Sequence, residues 1–245
     1  ITKFAPFIHP NIWPTEEMPE LQGACKRMGQ LVVEVGLMVS AQCDRYIKSQ
    51  CEGFEDNKLH RILNTSRSCK ARLLHYFPME EGDKPKDGDM NSSWCGWHND
   101  HGSLTGLVPN MYFDADGNET IPSDPAAGLY IRARSGDVVK ANLEPDVLGF
   151  QIGETAQIHS GGLLQATPHA VRGGAMPGVS REMYAVFMQP DWNEPMNIPV
   201  GRTADQTSSQ ASAENLPEGV PRLDTRWSEG MDFNDFSQKT LNAYY

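Results

Sequence analysis

WCGWHNDHGSLTGL, residues 94–107, packs two tryptophans, two histidines, an aspartate and a threonine into fourteen positions. In an extended strand, residues two apart face the same side, so His98 and Asp100 can present an imidazole and a carboxylate to one point. A lone His-x-Asp leaves two readings open: half of a metal site, or a polar corner at the end of a strand. The rest of the chain decides between them.

Upstream, Leu21, Cys25, Met28, Leu31, Val32, Val35, Met38 and Val39 recur at spacings of three and four, which predicts a long amphipathic helix or a broken pair over 16–49. Its role is to back a sheet. Before it, Pro6, Pro10 and Pro14 suit an extended arm. Downstream the period changes to two. Strands are expected at 72–77, 104–108, 128–133, 137–141, 147–153, 163–172 and 181–188, separated by Gly, Pro, Asp and Asn clusters. The charged run after Pro78 reads as a solvated loop. The polar stretch 202–214 reads as a mobile loop, and RWSEGMDFNDFSQKTLNAYY as a short helix capped by Asp232 or Asn234 and packed back on the body. Helix first, then antiparallel strands, predicts an α+β, mainly β fold: a helix-backed sandwich or jelly roll.

At 245 residues with 39% apolar content, the chain can bury a sizeable core. A formal charge of −11 argues against a protein that tracks nucleic-acid phosphates, and no apolar run reaches the length of a bilayer span. Five cysteines without Cys-x-x-Cys spacing read as reduced intracellular thiols, so a cytoplasmic protein is expected. The chain does not open with Met, which leaves a removed targeting segment open.

A metal site needs a third ligand. Of seven histidines, His169 lies in an alternating run, TPHAVRGG, whereas His9 and His60 fall in the leading arm and the helical region. Two neutral imidazoles and one carboxylate on one face leave three positions of an octahedral iron open, which suits a bidentate cosubstrate plus oxygen.

Four segments, in order, carry a resemblance to the iron(II)/2-oxoglutarate-dependent dioxygenases, in the isopenicillin N synthase-like and plant hydroxylase branch. LHYFP at 74–78 is similar to the family's Asn-Tyr-Tyr-Pro strand, and HNDHGSLTGL at 98–107 to its His-Thr-Asp-x-Gly-x-Leu-Thr-Leu-Leu. The stretch 128–171 follows the family's run to the second histidine. REMYAVFMQP at 181–190 sits where the family has Arg-x-Ser, an aromatic and a proline. The resemblance implies a double-stranded β-helix (jelly roll, cupin-like) backed by N-terminal helices. It implies Fe(II) held by His98, Asp100 and His169, with 2-oxoglutarate and O2 as cosubstrates and Arg181 pairing with the distal carboxylate of 2-oxoglutarate. Three positions depart from the pattern: Met183 replaces the family's serine, His75 its asparagine and Phe77 its second tyrosine. Tyr76 stays with the cosubstrate, and His75 or Tyr184 is expected to compensate.

The remaining candidates carry weaker signals. Trp97, His101, Arg72 and His159 are placed at the substrate pocket, His159 as a turn residue at its mouth, and Arg132, Arg134 and Arg172 are further cations for an anionic substrate. The expected organisation is a support region over 1–70, a catalytic core over 71–192, and a polar loop with C-terminal helix over 193–245 acting as a lid, in one structural domain. The resulting expectation is a monomeric oxidoreductase of secondary metabolism. It would oxidise a C–H bond of a small, polar or amino-acid-derived metabolite, by hydroxylation, desaturation or ring closure, with no nucleic acid or membrane partner. Two rivals stay open: an iron oxidase of the same fold without 2-oxoglutarate, and a non-catalytic β-sandwich binding protein.

Overall fold

No proline interrupts the chain between Pro19 and Pro78, so the amphipathic pattern can run on as one helix. In the computed structural model, which describes residues 10–80, 93–122, 124–174, 178–209 and 216–244, α1 (Leu21–Gln50) is unbroken over 30 residues. It buries Val32, Gly36, Ser40, Asp44 and Ile47, a stripe spaced by three and four. A second helix, α2 (Lys58–Thr65), was not signalled by periodicity. Both oxygens of the Asp44 carboxylate accept from its first turn, from the Leu59 and His60 N–H groups, each at 2.9 Å. They satisfy donors that a helix start leaves orphaned.

The strands form two antiparallel sheets. Sheet A holds β1 (Lys70–Tyr76), β3 (Leu104–Leu107), β4 (Met111–Phe113), β5 (Glu119–Thr120), β8 (Gly149–Ile152) and β10 (Ser180–Met188). The long β10 pairs with β1 along one edge and with β3 and β4 along the other. Sheet B runs β2-β9-β6-β7, with β2 (Ser93–His98), β6 (Gly128–Arg132), β7 (Val138–Ala141) and β9 (His169–Arg172). Alternation divides the faces of β10. Val186 and Met188 meet Val32, Leu63 and Leu104 under α1. Met183 and Ala185 instead pack with Leu107, Leu74, Tyr76 and, across from sheet B, Leu129. The inner faces of the two sheets therefore enclose one interior, while α1 covers the outer face of sheet A. Close approach of α1 depends on Gly106, where a Cβ would collide with the Val32 side chain.

The structure departs from the sequence reading at several elements. The strand expected over 163–172 shortens to β9, because Gly161 and Gly162 take positive φ and turn the chain, and Leu163 and Leu164 fill a separate cluster with Ile47 and Phe54. The polar stretch contains α4 (Ala204–Ser208), which begins with a reciprocal Thr203–Gln206 capping box. The C-terminal helix α5 (Phe233–Tyr244) is capped by Asp232, whose Oδ1 accepts from the Asp235 N–H at 2.9 Å. Its Phe233 and Phe236 are fully buried with Ile158, Trp192, Met196, Leu223 and Trp227, so the helix expected as a lid is part of the core. Residues 1–9 of the proline arm, 81–92 of the charged run and 210–215 of the polar stretch lie outside the described residues. Cys25, Cys43, Cys51 and Cys69 are free thiols.

Candidate metal centre

His98 ends β2 and His169 begins β9, and the two are paired in register, so the sheet itself sets their rings side by side with centroids 4.2 Å apart. Asp100 follows two residues after His98, beyond the end of the strand. What holds it there is α3 (Glu154–His159), a helix absent from the sequence reading. The Gly153, Glu154 and Thr155 N–H groups donate to the Ser103, Asp100 and Gly102 carbonyls at 2.9, 2.8 and 3.1 Å, and the Thr155 hydroxyl donates to the His101 carbonyl at 2.6 Å. The orphan donors of the helix start thus grip the loop after His98 along its whole length. Gly153 has to be glycine: a Cβ would collide with the Gly102 carbonyl.

One ligand atom each from His98, Asp100 and His169 lie within 4.8 Å of one another. His98 Nε2 and His169 Nε2 each stand 3.8 Å from an oxygen of Asp100. The other ring nitrogens are engaged: His98 Nδ1 with the Gly96 carbonyl at 2.8 Å and His169 Nδ1 with the Thr167 carbonyl at 3.1 Å. A carbonyl can only accept, so Nδ1 carries the proton and Nε2 keeps its lone pair for a metal. The Thr105 hydroxyl donates to Asp100 Oδ2 at 2.6 Å and orients the carboxylate. Burial lowers the pKa of His169 against the opposing charge of Asp100, which favours the neutral imidazole. At His98 burial also works against the charged form, but the Cys95 sulfur and Asp100 outweigh it and hold the ring up at about 9 without a metal.

Arg181 sits on the inner face of sheet A and is 1% exposed. One terminal nitrogen, Nη2, donates to Asn110 Oδ1 at 3.2 Å and touches the Met183 sulfur at 3.5 Å, whereas Nε and Nη1 have no hydrogen-bond partner among the described residues. No carboxylate pairs with it among the described residues. Its guanidinium lies 4.9 Å over the Tyr76 ring. Tyr112, also buried, is paired across the strands with Arg181. Burial raises the pKa of both tyrosines while the charge of Arg181 opposes it, so both hydroxyls stay protonated beside the cation. Tyr76 in turn touches Trp94.

The structure thus brings His98, Asp100 and His169 together and sets Tyr76 beside Arg181 on the inner face of sheet A. It separates the others. Tyr76 pairs with Arg181 and His75 with Glu182, so His75 points to the opposite face, where its Nδ1 bonds Glu182. Tyr184 also faces outward, and its hydroxyl donates to the Cys25 carbonyl of α1 at 2.7 Å. Neither can reach Arg181, and the tyrosines that do stand beside it are Tyr76 and Tyr112, the second of which sequence reasoning missed. The one signal for Tyr112 was the turn chemistry of Asp-Ala-Asp-Gly-Asn behind it, where Asp114 Oδ1 accepts from the Asp116 and Asn118 N–H groups.

His101 packs in parallel on Phe233, with ring centroids 5.7 Å apart, and burial, aided by Lys70, Arg226 and Arg72 and opposed by Asp100, lowers its pKa to about 4. Trp97 is half-buried in β2. Arg72 is exposed on the inner-face register of β1, and Arg132 and Arg172 fall on the outer register of sheet B. His159 is not at a pocket mouth. It is fully buried in α3, where Nε2 donates to the Pro195 carbonyl at 3.1 Å. Burial, aided by the charge of Lys58, lowers its pKa to about 3 from an ordinary 6.5. The unfolded chain therefore takes up a proton below pH 6.5 that the folded chain refuses until about pH 3. Stability is fully present above 6.5 and is expected to fall on acidification through that window, with His159 adding a slope of up to about 1.4 kcal/mol per pH unit. Denaturant unfolding at stepped pH checks this, and His159→Gln should remove close to one proton from the slope.

A further link ties the C-terminus to the metal loop. Glu154 is 0% exposed and forms a two-pronged pair with Arg226, at 2.8 and 2.6 Å. Glu154 Oε1 also accepts from Asn99 Nδ2 at 3.1 Å, and the Asn99 N–H donates to the Tyr244 hydroxyl at 3.1 Å. Arg226 donates to Thr240 at 2.9 Å, so α5 is bonded into the residue between the two ligands of the His-x-Asp.

No family model matches the chain. The UPF0676 protein C1494.01 of Schizosaccharomyces pombe is 34% identical over 139 residues, which covers 55% of this chain and 37% of that protein. Among solved structures, a protein of Caulobacter crescentus described as of the 2OG-Fe(II) oxygenase family superposes with a TM-score of 0.65 at 21% identity, covering 99% of this chain and 65% of that one. A full-length protein of Neurospora crassa, solved in complex with alpha-KG, gives 0.65 at 17%, covering 96% and 62%. JOX2, solved with 2OG, Fe and JA, gives 0.57 at 17%, covering 96% and 54%. The chain has the fold of these oxygenases and spans less than two thirds of the length of each of these relatives. No helix among the described residues is long and apolar enough to cross a membrane.

Proposed function

We propose that the protein is an Fe(II)- and 2-oxoglutarate-dependent oxygenase that oxidises a C–H bond of a small, polar or amino-acid-derived metabolite, with its two sheets forming a double-stranded β-helix. One observation carries the reading. The interior that holds a His-Asp-His cluster also holds a buried guanidinium with two unpartnered nitrogens, at a site where an uncompensated charge is costly. A dicarboxylate cosubstrate answers both features, one end at the metal and the other at Arg181. Two histidines and one carboxylate that leave positions open favour Fe(II) over a closed structural zinc site.

In this reading His98, Asp100 and His169 hold the iron, with the Gly96 and Thr167 carbonyls fixing the tautomers and Thr105 aiming the carboxylate. Arg181 receives the distal carboxylate through Nε and Nη1, and the Tyr76 and Tyr112 hydroxyls stand beside it in the role of the family's serine. Bound there, iron with 2-oxoglutarate and O2 supplies the oxidant for the substrate C–H bond, with succinate and carbon dioxide formed alongside. The chain's own share is to orient these groups and to keep water away between apolar walls such as Leu107, Leu129 and Met183. An iron oxidase drawing every electron from its substrate would leave the Arg181 nitrogens without purpose.

Arg181→Met is expected to weaken 2-oxoglutarate binding by about 10- to 100-fold, the worth of a charge-assisted pair, with Fe(II) affinity little changed. Calorimetric titration of the metal-loaded protein under anaerobic conditions reads it. Unaltered 2-oxoglutarate affinity would place the anchor elsewhere.

A further inference from the structure

The inner face of sheet A carries a second cationic station. Along β1 the residues facing inward are Lys70, Arg72, Leu74 and Tyr76, paired on β10 with Phe187, Ala185, Met183 and Arg181. Phe187 is in turn paired with Thr105 of β3. One row across the sheet thus reads Lys70, Phe187, Thr105, and Thr105 is the residue bonded to Asp100. Strands lie ~4.8 Å apart, so the Lys70 backbone stands ~10 Å from the residue that orients the metal carboxylate. Arg72 is one same-face row further along, and Tyr76 with Arg181 lies two rows, ~13 Å, beyond Arg72.

Both cations lie over aromatic rings. The Arg72 guanidinium is 4.9 Å from the Phe187 centroid, and Lys70 Nζ is 5.4 Å from the Trp192 centroid. Neither makes a salt bridge among the described residues, in a chain with 32 acidic against 21 basic side chains. Burial, with the charge of Arg72 added, lowers the pKa of Lys70. Two like charges on one face of a strand, with no salt-bridged acid among the described residues, repel one another, and the arrangement becomes favourable when an anion joins them.

We infer that Lys70 and Arg72 form the substrate's anion subsite, so that the substrate is a small organic acid whose carboxylate is held on the Lys70–Arg72 row and whose body lies over Phe187 toward the metal. The inference rests on the oxygenase reading for the identity of the reacting centre. The subsite is distinct from Arg181: that guanidinium is enclosed and meets a cosubstrate, whereas Arg72 is open to an incoming ligand.

The test uses the Fe(II)- and 2-oxoglutarate-loaded protein under argon and three acids, butanoate, hexanoate and 3-phenylpropanoate, each against its primary amide. Calorimetry is expected to show at least one acid binding tenfold or more tightly than its amide. The advantage should vanish in Lys70→Met/Arg72→Gln while 2-oxoglutarate affinity stays within twofold. Equal binding of acids and amides overturns the inference, as does the absence of binding by any acid. A preference that survives the double substitution also overturns it, because the anion is then held elsewhere. If Fe(II) and 2-oxoglutarate fail to bind while the metal-free protein still prefers the acids through Lys70 and Arg72, the oxygenase reading falls and the anion subsite stands.

Discussion

Asp100→Ala is expected to lower Fe(II) affinity by at least a hundredfold and to abolish iron-dependent consumption of 2-oxoglutarate. Asp100 is the anionic member of the cluster, and without it two imidazoles remain to hold a divalent ion in competition with water. The change should separate cleanly from unfolding, because among the described residues the side chain's hydrogen bond is to Thr105 alone, and its backbone carbonyl, which the Glu154 N–H grips, is retained. Thr105→Val provides the graded companion. It leaves all three ligands but frees the carboxylate to turn, a loss of about 10- to 100-fold in metal affinity by the usual worth of such supporting bonds. Metal titration of both variants, with far-UV circular dichroism as the control for folding, reads the pair. Full affinity in Asp100→Ala would remove the triad.

Arg226→Ala should cost about 3–5 kcal/mol of stability, the largest effect expected away from the metal ligands. The substitution leaves the Glu154 carboxylate enclosed with Asn99 Nδ2 as its remaining side-chain donor, and it strips a donor from Thr240 and from the Pro221 carbonyl. For a chain of this size the melting temperature should fall on the order of 10 °C. Replacing both partners, as Glu154→Leu with Arg226→Met, should recover much of the loss, since the penalty comes from the orphaned charge rather than from the missing attraction. A double-mutant cycle in denaturant measures the coupling. Because Glu154 also bonds the residue between His98 and Asp100, the cycle carries a second readout: the single variant should bind Fe(II) more weakly in its folded state, and the paired apolar variant should not restore that affinity. If metal affinity is indifferent to both, the network belongs to the core alone.

The metal cluster was legible because its signals are local or periodic. His98 and Asp100 are two residues apart at a strand end, His169 lies in an alternating run, and Arg181 is the second residue of the longest strand. The order of helix, then strands, likewise gave the layers. Parity was the weak point. The position just before Pro78 fixes which residues of LLHYF face inward, and a one-residue shift moves every side chain to the other face. The sequence reading placed both His75 and Tyr76 at the cosubstrate, but neighbouring strand residues face opposite sides, and the register with β10 leaves Tyr76 alone of the two on the face of Arg181. Tyr184 failed for the same reason. α3 was hidden because its 6 residues are too few to show a period, and its start is fixed by carbonyls of the 100–103 loop rather than by a cap of its own. Glu154 and Arg226 stand 72 positions apart, beyond any local pattern. One miss was avoidable: Thr203 followed three residues later by Gln206 is the signature of a capping box, present in a stretch read only for its polarity.

The central claim is that one interior binds Fe(II) and 2-oxoglutarate together. The most direct measurement is anaerobic titration of Fe(II) and then 2-oxoglutarate into the protein, watching for the weak visible charge-transfer band of an iron-chelated keto acid. The band should rise to one equivalent of each, vanish in Asp100→Ala, and require more 2-oxoglutarate in Arg181→Met. Iron binding without the band would contradict the cosubstrate, and failure to bind iron would contradict the site itself.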